Sequence, residues 1–431
     1  MDIRFIITDV LTLIVSTIFL FRNVKKLTGN MYCVIYLLFF VFYVFPLYLD
    51  YLVSFPDYSA QERYHGFTIS YLDTYTRIIY DISILLIQYF MSKHVHKCQN
   101  NIVDAETTLA TRNYYSFIVL GMCFPTLLTL IFPVDKFILF TFGWRELGVF
   151  ANTSATNTIE NFTYFAVLCT ILLIVKQLES GKRGLMKIII CLLFLYFNMC
   201  LQGKRSIVFF SIVTFSILLL PGINTNEKID ERKTKKRLIL LAIVGLLGVA
   251  IMLASTIYVK VTVRGWDGND TMSMYTMTRI DFLKDDRVRF AIYSLLNQGK
   301  VSILDEVGQT VFPIITWFYP INSILAGHGI VYSSYQDYFS DALQSVVDVP
   351  FMTTSFFAEL ISNFSYFGIF FTYLLCYWSA KLAQKSVYPY RAIIVIIFLA
   401  LQMYTTKYLA IFFEMCLFYS ILYNYGNKKS R

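Results

Sequence analysis

Two cations stand side by side where two apolar runs turn back on each other. Gln202, Gly203, Lys204, Arg205 and Ser206 join the runs 187 to 202 and 206 to 221, which leaves room only for a tight reversal. An arginine offers a planar fork of donors that matches phosphate oxygens and never loses its charge, so the pair suits a lipid-linked phosphate or pyrophosphate. The same two side chains also suit simple snorkelling to ordinary headgroups. A second set, Asp73, Arg77 and Asp81, recurs at i, i+4 and i+8 and therefore shares one helical face. It reads as an ion relay, as the wall of a polar substrate groove, or as a structural salt-bridge ladder. Lys407 and Glu414 pose the same question near the C-terminus.

Between residues 259 and 365 the chain is hydrophilic and holds Arg264, Arg279, Arg287 and Arg289 among Asp267, Asp270, Asp281, Asp285 and Asp286. Further along, Tyr332, Tyr335, Asp337, Tyr338 and Asp341 follow Gly327, His328 and Gly329. Aromatic faces with carboxylates suit sugar rings, which present apolar patches and hydroxyl donors, although a chain that is 18% aromatic produces such mixtures by chance as well. With a reference pKa near about 6.5, His328 suits a general base, and equally an ordinary loop position. His94 and His96 flank Val95 with no further ligands nearby, which does not make a metal site. Phosphate-cradling glycine loops, serine-nucleophile elbows and zinc-helix motifs are all missing from the sequence, so ATP hydrolysis and metal chemistry are not expected.

The elements that must position these residues are apolar runs. The chain is 57% hydrophobic and 15% charged, against about 25% charged residues in a soluble protein. Runs near 3 to 21, 31 to 54, 69 to 92, 114 to 133, 160 to 176, 187 to 202, 206 to 221, 238 to 258, 366 to 381, 391 to 406 and 408 to 425 are read as helices, because backbone polar groups in hydrocarbon must be satisfied internally. The expected fold is an all-α polytopic membrane protein of about eleven transmembrane helices, a single integral membrane domain over 1–431 whose large extracytoplasmic loop, 259–365, precedes the last three. The patch Phe137 to Trp144 is too short to span, and Val311 to Leu325 is apolar but contains Pro313 and Pro320; both read as re-entrant or interfacial pieces, or as loop aromatics resting on headgroups.

The formal charge of +9 does not point to nucleic acid, because the basic residues cluster at run ends. Arg22, Lys25 and Lys26; Lys93 and Lys97; Lys176, Lys182, Arg183 and Lys187; the stretch Lys228 to Arg237; Lys381 and Lys385; and Lys428, Lys429 and Arg431 fall in alternate connections. Those connections are assigned to the cytoplasm, with the N-terminus outside and the C-terminus inside. Lys204 and Arg205 then lie on the outer face, against the rule the rest of the chain obeys. The N-terminal run lacks a small-residue cleavage site and is expected to be retained as a span. Seven cysteines fall inside apolar runs and Cys98 in a basic connection, so no disulfide framework is expected.

Two stretches resemble a known family. The turn GKRS at 203 to 206 is similar to the Gly-x-Arg signature of bacterial O-antigen and capsule repeat-unit polymerases. So is PFMTTSFFAELISNFSYFGIFF at 350 to 371, where Glu359, Asn363, Phe364 and Gly368 match the stretch at which the family's large outer loop re-enters the membrane. Ser365 stands where glycine is the rule. Thr353, Thr354 and Ser355 stand where the related ligases often carry a histidine. The resemblance extends in layout from about residue 110 to the C-terminus.

It implies an inverting glycosyltransferase that uses neither metal nor cofactor and joins undecaprenyl-diphosphate-linked oligosaccharides at the outer face of a bacterial plasma (inner) membrane. Under it Arg205, Glu359, His328 and Asp337 are the catalytic candidates. Lys204, Arg264, Arg279, Arg287, Arg289, Tyr332, Tyr335, Asp73, Arg77 and Asp81 are the substrate-binding candidates. Its partners are the lipid-linked oligosaccharides and the bilayer, with a chain-length regulator as a further candidate. A lipid-linked oligosaccharide flippase or other secondary transporter and an O-antigen ligase are the rival readings.

Overall fold

In a computed structural model, the described residues are 3–27, 29–48, 74–98, 119–121, 123, 166, 169, 170, 190, 328, 356, 357, 360, 364, 366–386, 388–403 and 417. Among them there are helices and turns and no strand. Five helices have both ends described: α1 (Ile3–Val24), α2 (Met31–Tyr43), α3 (Thr74–Lys97), α4 (Phe367–Lys385) and α5 (Tyr388–Met403). Each coincides with an apolar run. The described positions in the runs 114 to 133, 160 to 176, 187 to 202 and 408 to 425 are also helical. The runs 206 to 221 and 238 to 258, and the patches Phe137 to Trp144 and Val311 to Leu325, lie outside the described residues. Within the described set one helical stretch, Ile6–Val24, is long and apolar enough to cross a membrane, and Met31–Tyr43 and Ile393–Gln402 are apolar but shorter.

The ends differ from the runs for identifiable reasons. The run 31 to 54 is interrupted at Val44, a turn residue whose N–H bonds Phe40 O at 2.9 Å, and residues 45 to 48 are helical again. Pro46 has no N–H to give to its own i−4 carbonyl and disfavours helical geometry in the residue before it. α3 continues beyond its apolar run as far as Lys97. Its extra turn is stabilised by Lys93, whose Nζ lies 4.3 Å from the Tyr89 ring centroid.

Packing divides the chain into two compact units. The first comprises Met1–Asn101, Gly268–Gln384 and Ile397–Ala410; the second comprises Ile102–Asp267, Lys385–Ile396 and Ile411–Arg431. In the first, α1 and α3 run parallel, since Ser16 bonds Gln88, the Phe19 and Tyr89 rings meet, and Asn23 bonds Ser92. α2 runs against both, with Asn30 at Val95 and Tyr36 at Gln88. It is buried almost all round, as befits a central helix whose every face is apolar. α4 runs parallel to α3, Phe90 meeting Tyr373 and His94 meeting Tyr377.

The α1–α2 turn is held from three sides. Gly29 takes the left-handed conformation (φ 69°) that glycine adopts without steric cost. Asn30 caps α2 by accepting from Cys33 N at 3.2 Å and donates to Val95 O at 2.9 Å, one of the α3 carbonyls left without a helical partner. From α4, Gln384 accepts from Met31 N at 2.8 Å and donates to Gly29 O at 3.1 Å.

In the second unit Arg391 is buried and its Nη2 donates to Ser386 O at 2.7 Å, while residues 393 to 396 are buried. The described cysteines, Cys33, Cys98, Cys123, Cys169 and Cys376, are free thiols.

Replacing Asn30 by Ala removes both the cap and the donor to Val95. The expected loss is about 1 kcal/mol for the cap and about 1–3 kcal/mol for the stranded carbonyl. Thermal unfolding in detergent should show the full effect for Asn30→Ala and an intermediate one for Asn30→Ser, which retains a capping oxygen. An unchanged melting temperature in both would contradict this role.

Candidate functional site

A polar seam runs inside the first unit between α1 and α3. Gln88 sits at its middle, where Nε2 donates to Ser16 Oγ at 2.9 Å and Oε1 accepts from Tyr36 Oη at 3.0 Å. One turn on, Ser92 Oγ donates to Asn23 Oδ1 at 2.9 Å, and Cys33 Sγ donates to Asn23 O at 3.1 Å. In the other direction, seven residues or two helical turns back from Ser16 and Gln88, stand Asp9 and Asp81. The parallel register puts these two buried carboxylates at one level. Between Asp9 and Ser16 on α1 lies Thr12, fully buried, whose Oγ1 finds no hydrogen-bond partner. Thr17, Ser83 and Thr372, by contrast, each donate to the carbonyl four residues earlier.

The seam's outer sides are apolar. On α1 the exposed positions are Ile7, Val10, Leu11, Ile14, Ile18, Phe21 and Val24, with Ile18 at 60% and Phe21 at 70% exposure. On α3 they are Ile82, Leu86, Tyr89 and Phe90, and on α4 Phe367, Phe370, Phe371, Trp378 and Leu382. On α1 the buried positions among the described residues, Asp9, Thr12, Ser16 and Asn23, are all polar and the exposed stripe is hydrocarbon, the inverse of a helix on a water-soluble protein, whereas α3 buries Ile84, Ile87 and Met91 beside its polar groups.

At the Asp81 end, the carboxyl-terminal part of α2 meets the segment that precedes α4. The ring of Phe357, itself buried, lies 5.2 Å from Tyr43 edge-on and 5.8 Å from Tyr80, the neighbour of Asp81. Tyr43 Oη donates to Gln402 Oε1 at 2.5 Å. Phe356 and Leu360 are buried beside it in sequence, so the two residues next to Ala358 and the one after Glu359 are anchored. The opposite end is basic. The described Arg22, Lys25, Lys26, Lys93, Lys97 and Lys381 all fall in the last turns of α1, α3 and α4 or just beyond, while Asp9 and Asp81, the described carboxylates, sit deep in the seam.

At that basic end four rings from three helices converge. His94 stacks on Tyr32 (centroids 5.8 Å apart, 24° between planes) and lies 4.7 Å from Tyr377. Its Nε2 and Tyr373 Oη share a hydrogen bond of 2.7 Å. Partial burial, then the Lys97 charge, lowers the His94 pKa below its usual 6.5. Partial burial followed by Arg22 and Lys26 does the same for His96. The neighbouring Cys98 thiol is pushed up by burial.

Of the residues singled out by sequence, three are described. Asp81 is buried in the seam, Arg77 lies one turn before it in α3, and His328 occupies an exposed turn. Asp73, Lys204, Arg205, Arg264, Arg279, Arg287, Arg289, Tyr332, Tyr335, Asp337 and Glu359 lie outside the described residues. The Phe357 ring meets Tyr80, the neighbour of Asp81, a proximity the sequence did not suggest. Sequence reasoning also missed Asp9, Gln88, Gln402 and Arg391. The helical spacing of Asp9, Thr12, Ser16 and Asn23 was the available signal for the first of these. Among the described residues no group of three His, Cys, Asp or Glu side chains is placed to hold a metal ion. The chain matches no protein-family model, and neither a curated protein nor a solved structure is similar to it.

The two histidines set a pH dependence. A folded-state pKa below the unfolded value means that the unfolded chain binds more protons on acidification, so stability is complete above about pH 6.5 and falls as pH drops through the lowered values. Thermal unfolding in detergent should show a melting temperature that decreases from pH 7.5 toward pH 5, more weakly in the His94→Gln, His96→Gln double variant. Equal slopes would show that other groups carry the dependence.

Proposed function

We propose that this chain is an integral membrane polymerase that joins undecaprenyl-diphosphate-linked oligosaccharide repeat units into O-antigen or capsular polysaccharide at the outer face of a bacterial plasma membrane. What carries the chemistry is the sequence GKRS at 203 to 206, because the alternation of basic connections along the chain would put Lys204 and Arg205 on the face opposite the other basic clusters. The membrane setting, with about eleven spans, is supported by the hydrocarbon exposed on α1, α3 and α4 and by the polar residues that α1 buries. Alternating helix directions, with Arg22, Lys25, Lys26, Lys93, Lys97 and Lys381 at one end and only Arg4 and Arg77 among the described cations of these helices at the other, support the orientation in which the N-terminus is outside and the C-terminus cytoplasmic. Phe357, packed on Tyr43 and Tyr80, supports a re-entering segment that carries Glu359 at the other, outer end.

The reaction breaks a glycosyl–phosphate bond. The acceptor hydroxyl attacks the anomeric carbon from the side opposite the phosphate, the carbon–oxygen bond to the diphosphate breaks, and configuration inverts. Arg205 stabilises the departing lipid diphosphate, aided by Lys204 and one of Arg264, Arg279, Arg287 or Arg289, because fixed charge beside a low-dielectric membrane acts more strongly than in bulk water. Glu359, Asp337 or His328 takes the acceptor's proton. Tyr332 and Tyr335 stack on sugar rings. A ligase that passes finished glycan to another acceptor would use the same donor site.

One observation favours a second reading, a lipid-linked oligosaccharide flippase or other secondary transporter. The seam holds Asp9 and Asp81 at one level with the Thr12 hydroxyl between Asp9 and Ser16, and buried carboxylates at membrane depth are what ion coupling uses. In that reading Asp73, Arg77 and Asp81 couple ion flow to transport.

Cells whose sole copy carries Arg205→Ala should lose long-chain polysaccharide while single repeat units accumulate on the outer lipid. Loss of a flippase would instead trap the units in the cytoplasmic leaflet, and normal long chains would overturn the role of Arg205. The membrane setting has its own test in Ile14, halfway along the outward stripe of α1. Ile14→Arg in lipid costs about 2.5–3.5 kcal/mol of insertion free energy and should lower the fraction of α1 that inserts in a translocation assay. A helix that faces water would tolerate the change.

A further inference from the structure

At the basic end of the first unit, three helices build a shallow cup whose rings and cations the polymerase reading does not use. Its floor is the stack of Tyr32 from α2, His94 from α3 and Tyr377 from α4, locked by the His94–Tyr373 hydrogen bond. Its rim holds two ammonium groups. Lys381 Nζ stands 5.4 Å from the Tyr377 centroid and 4.4 Å from that of Trp378, which fixes it above the aromatic surface. Lys97 is exposed one turn beyond His94 and close enough to depress its protonation. His94 is therefore predominantly neutral near pH 7 and adds no third charge.

The cup opens onto hydrocarbon. From His94 back along α3, Phe90, Leu86 and Ile82 are exposed at four-residue intervals on one face. Twelve residues of helix cover about 18 Å, the scale of one lipid chain below its headgroup.

We propose that this cup binds the headgroup of an anionic phospholipid, with the phosphodiester between Lys97 and Lys381 over the Tyr32 and Tyr377 rings and one acyl chain along Phe90, Leu86 and Ile82. Charge complementarity selects the ligand class: two ammonium groups surround neutral aromatics, and a phosphodiester supplies the missing negative charge. Aromatic rings at this level suit the headgroup boundary, where one end of each side chain is apolar and the other wet. The proposal rests on the membrane half of the function proposed above and is independent of the polymerase chemistry.

The test is native mass spectrometry of the full-length protein released from mixed micelles of phosphatidylglycerol and phosphatidylcholine. Wild type should retain phosphatidylglycerol in several-fold preference. The Lys97→Gln, Lys381→Gln variant should lose that preference by roughly tenfold, since each cation near an anionic surface contributes a several-fold factor. Lys25→Gln, Lys26→Gln, at the same end but away from the rings, should retain it, and Lys97→Arg, Lys381→Arg should restore it. Three results would overturn the proposal: no preference in wild type, equal loss in both glutamine variants, or release of the lipid by excess inorganic phosphate, which would mark a free-phosphate site. Thermal unfolding of each variant separates lost binding from lost folding. Failure of the membrane reading shows differently, as wild-type protein recovered in the aqueous fraction without detergent.

Discussion

Polar side chains point inward and hydrocarbon points outward on α1, and the rest of the first unit depends on that inversion and on the polar groups that α3 turns toward it. The Gln88 amide bridges Ser16 and Tyr36, and Asn23 receives Ser92 on the same line. In water such a bundle would expose a continuous apolar surface of Ile14, Ile18, Phe21 and their neighbours, a condition that water-soluble monomers avoid. In lipid the same surface costs nothing. Burial of apolar side chains then contributes little to helix association, because lipid tails are as apolar as leucine, and interhelical hydrogen bonds and close packing must hold the bundle. Each such bond contributes about 0.6 kcal/mol on average, so the unit relies on several, spread from Asn30 and Gln384 at one end to Tyr43 and Gln402 at the other.

That arrangement gives the bundle two chemically different ends. One gathers lysines, arginine and the His94 ring stack. The other gathers Asp81, Tyr80, Tyr43 and Phe357. A glycosyl transfer to a lipid-linked acceptor needs a carboxylate or imidazole and a fixed cation on one membrane face. The proposed chemistry accordingly draws on the second end, and in the proposed orientation the cations of the first face the cytoplasm.

Much of the helical layout was legible in the apolar runs, because a run long enough to span must pair its own backbone. α1, α3, α4 and α5 all begin within a few residues of the run that announces them. The break at Val44 was not legible from composition, since apolar residues flank Pro46 on both sides, but the proline itself carried the signal. The extra turn of α3 was hidden because Lys93 and the two histidines look like loop, and only their packing against Tyr89, Tyr373 and Tyr377 makes them helix. The seam escaped because Gln88 is isolated among apolar neighbours and Asn23 is lost in the basic end of its run, and the face they share with Ser16 appears only when α1 and α3 are set in parallel register. The Asp81 face was visible from spacing alone. Its meeting with the segment of Phe357 needed three-dimensional contacts separated by hundreds of residues.

The inward polarity of α1 is most directly tested by photolabelling native membranes with a diazirine-bearing phospholipid and mapping the adducts by peptide mass spectrometry. The account predicts adducts on Leu11, Ile14, Ile18 and Phe21 and none on Asp9, Ser16 or Asn23. Adducts on the seam residues, or labelling of the outward stripe by a water-soluble carbene reagent instead, would contradict it.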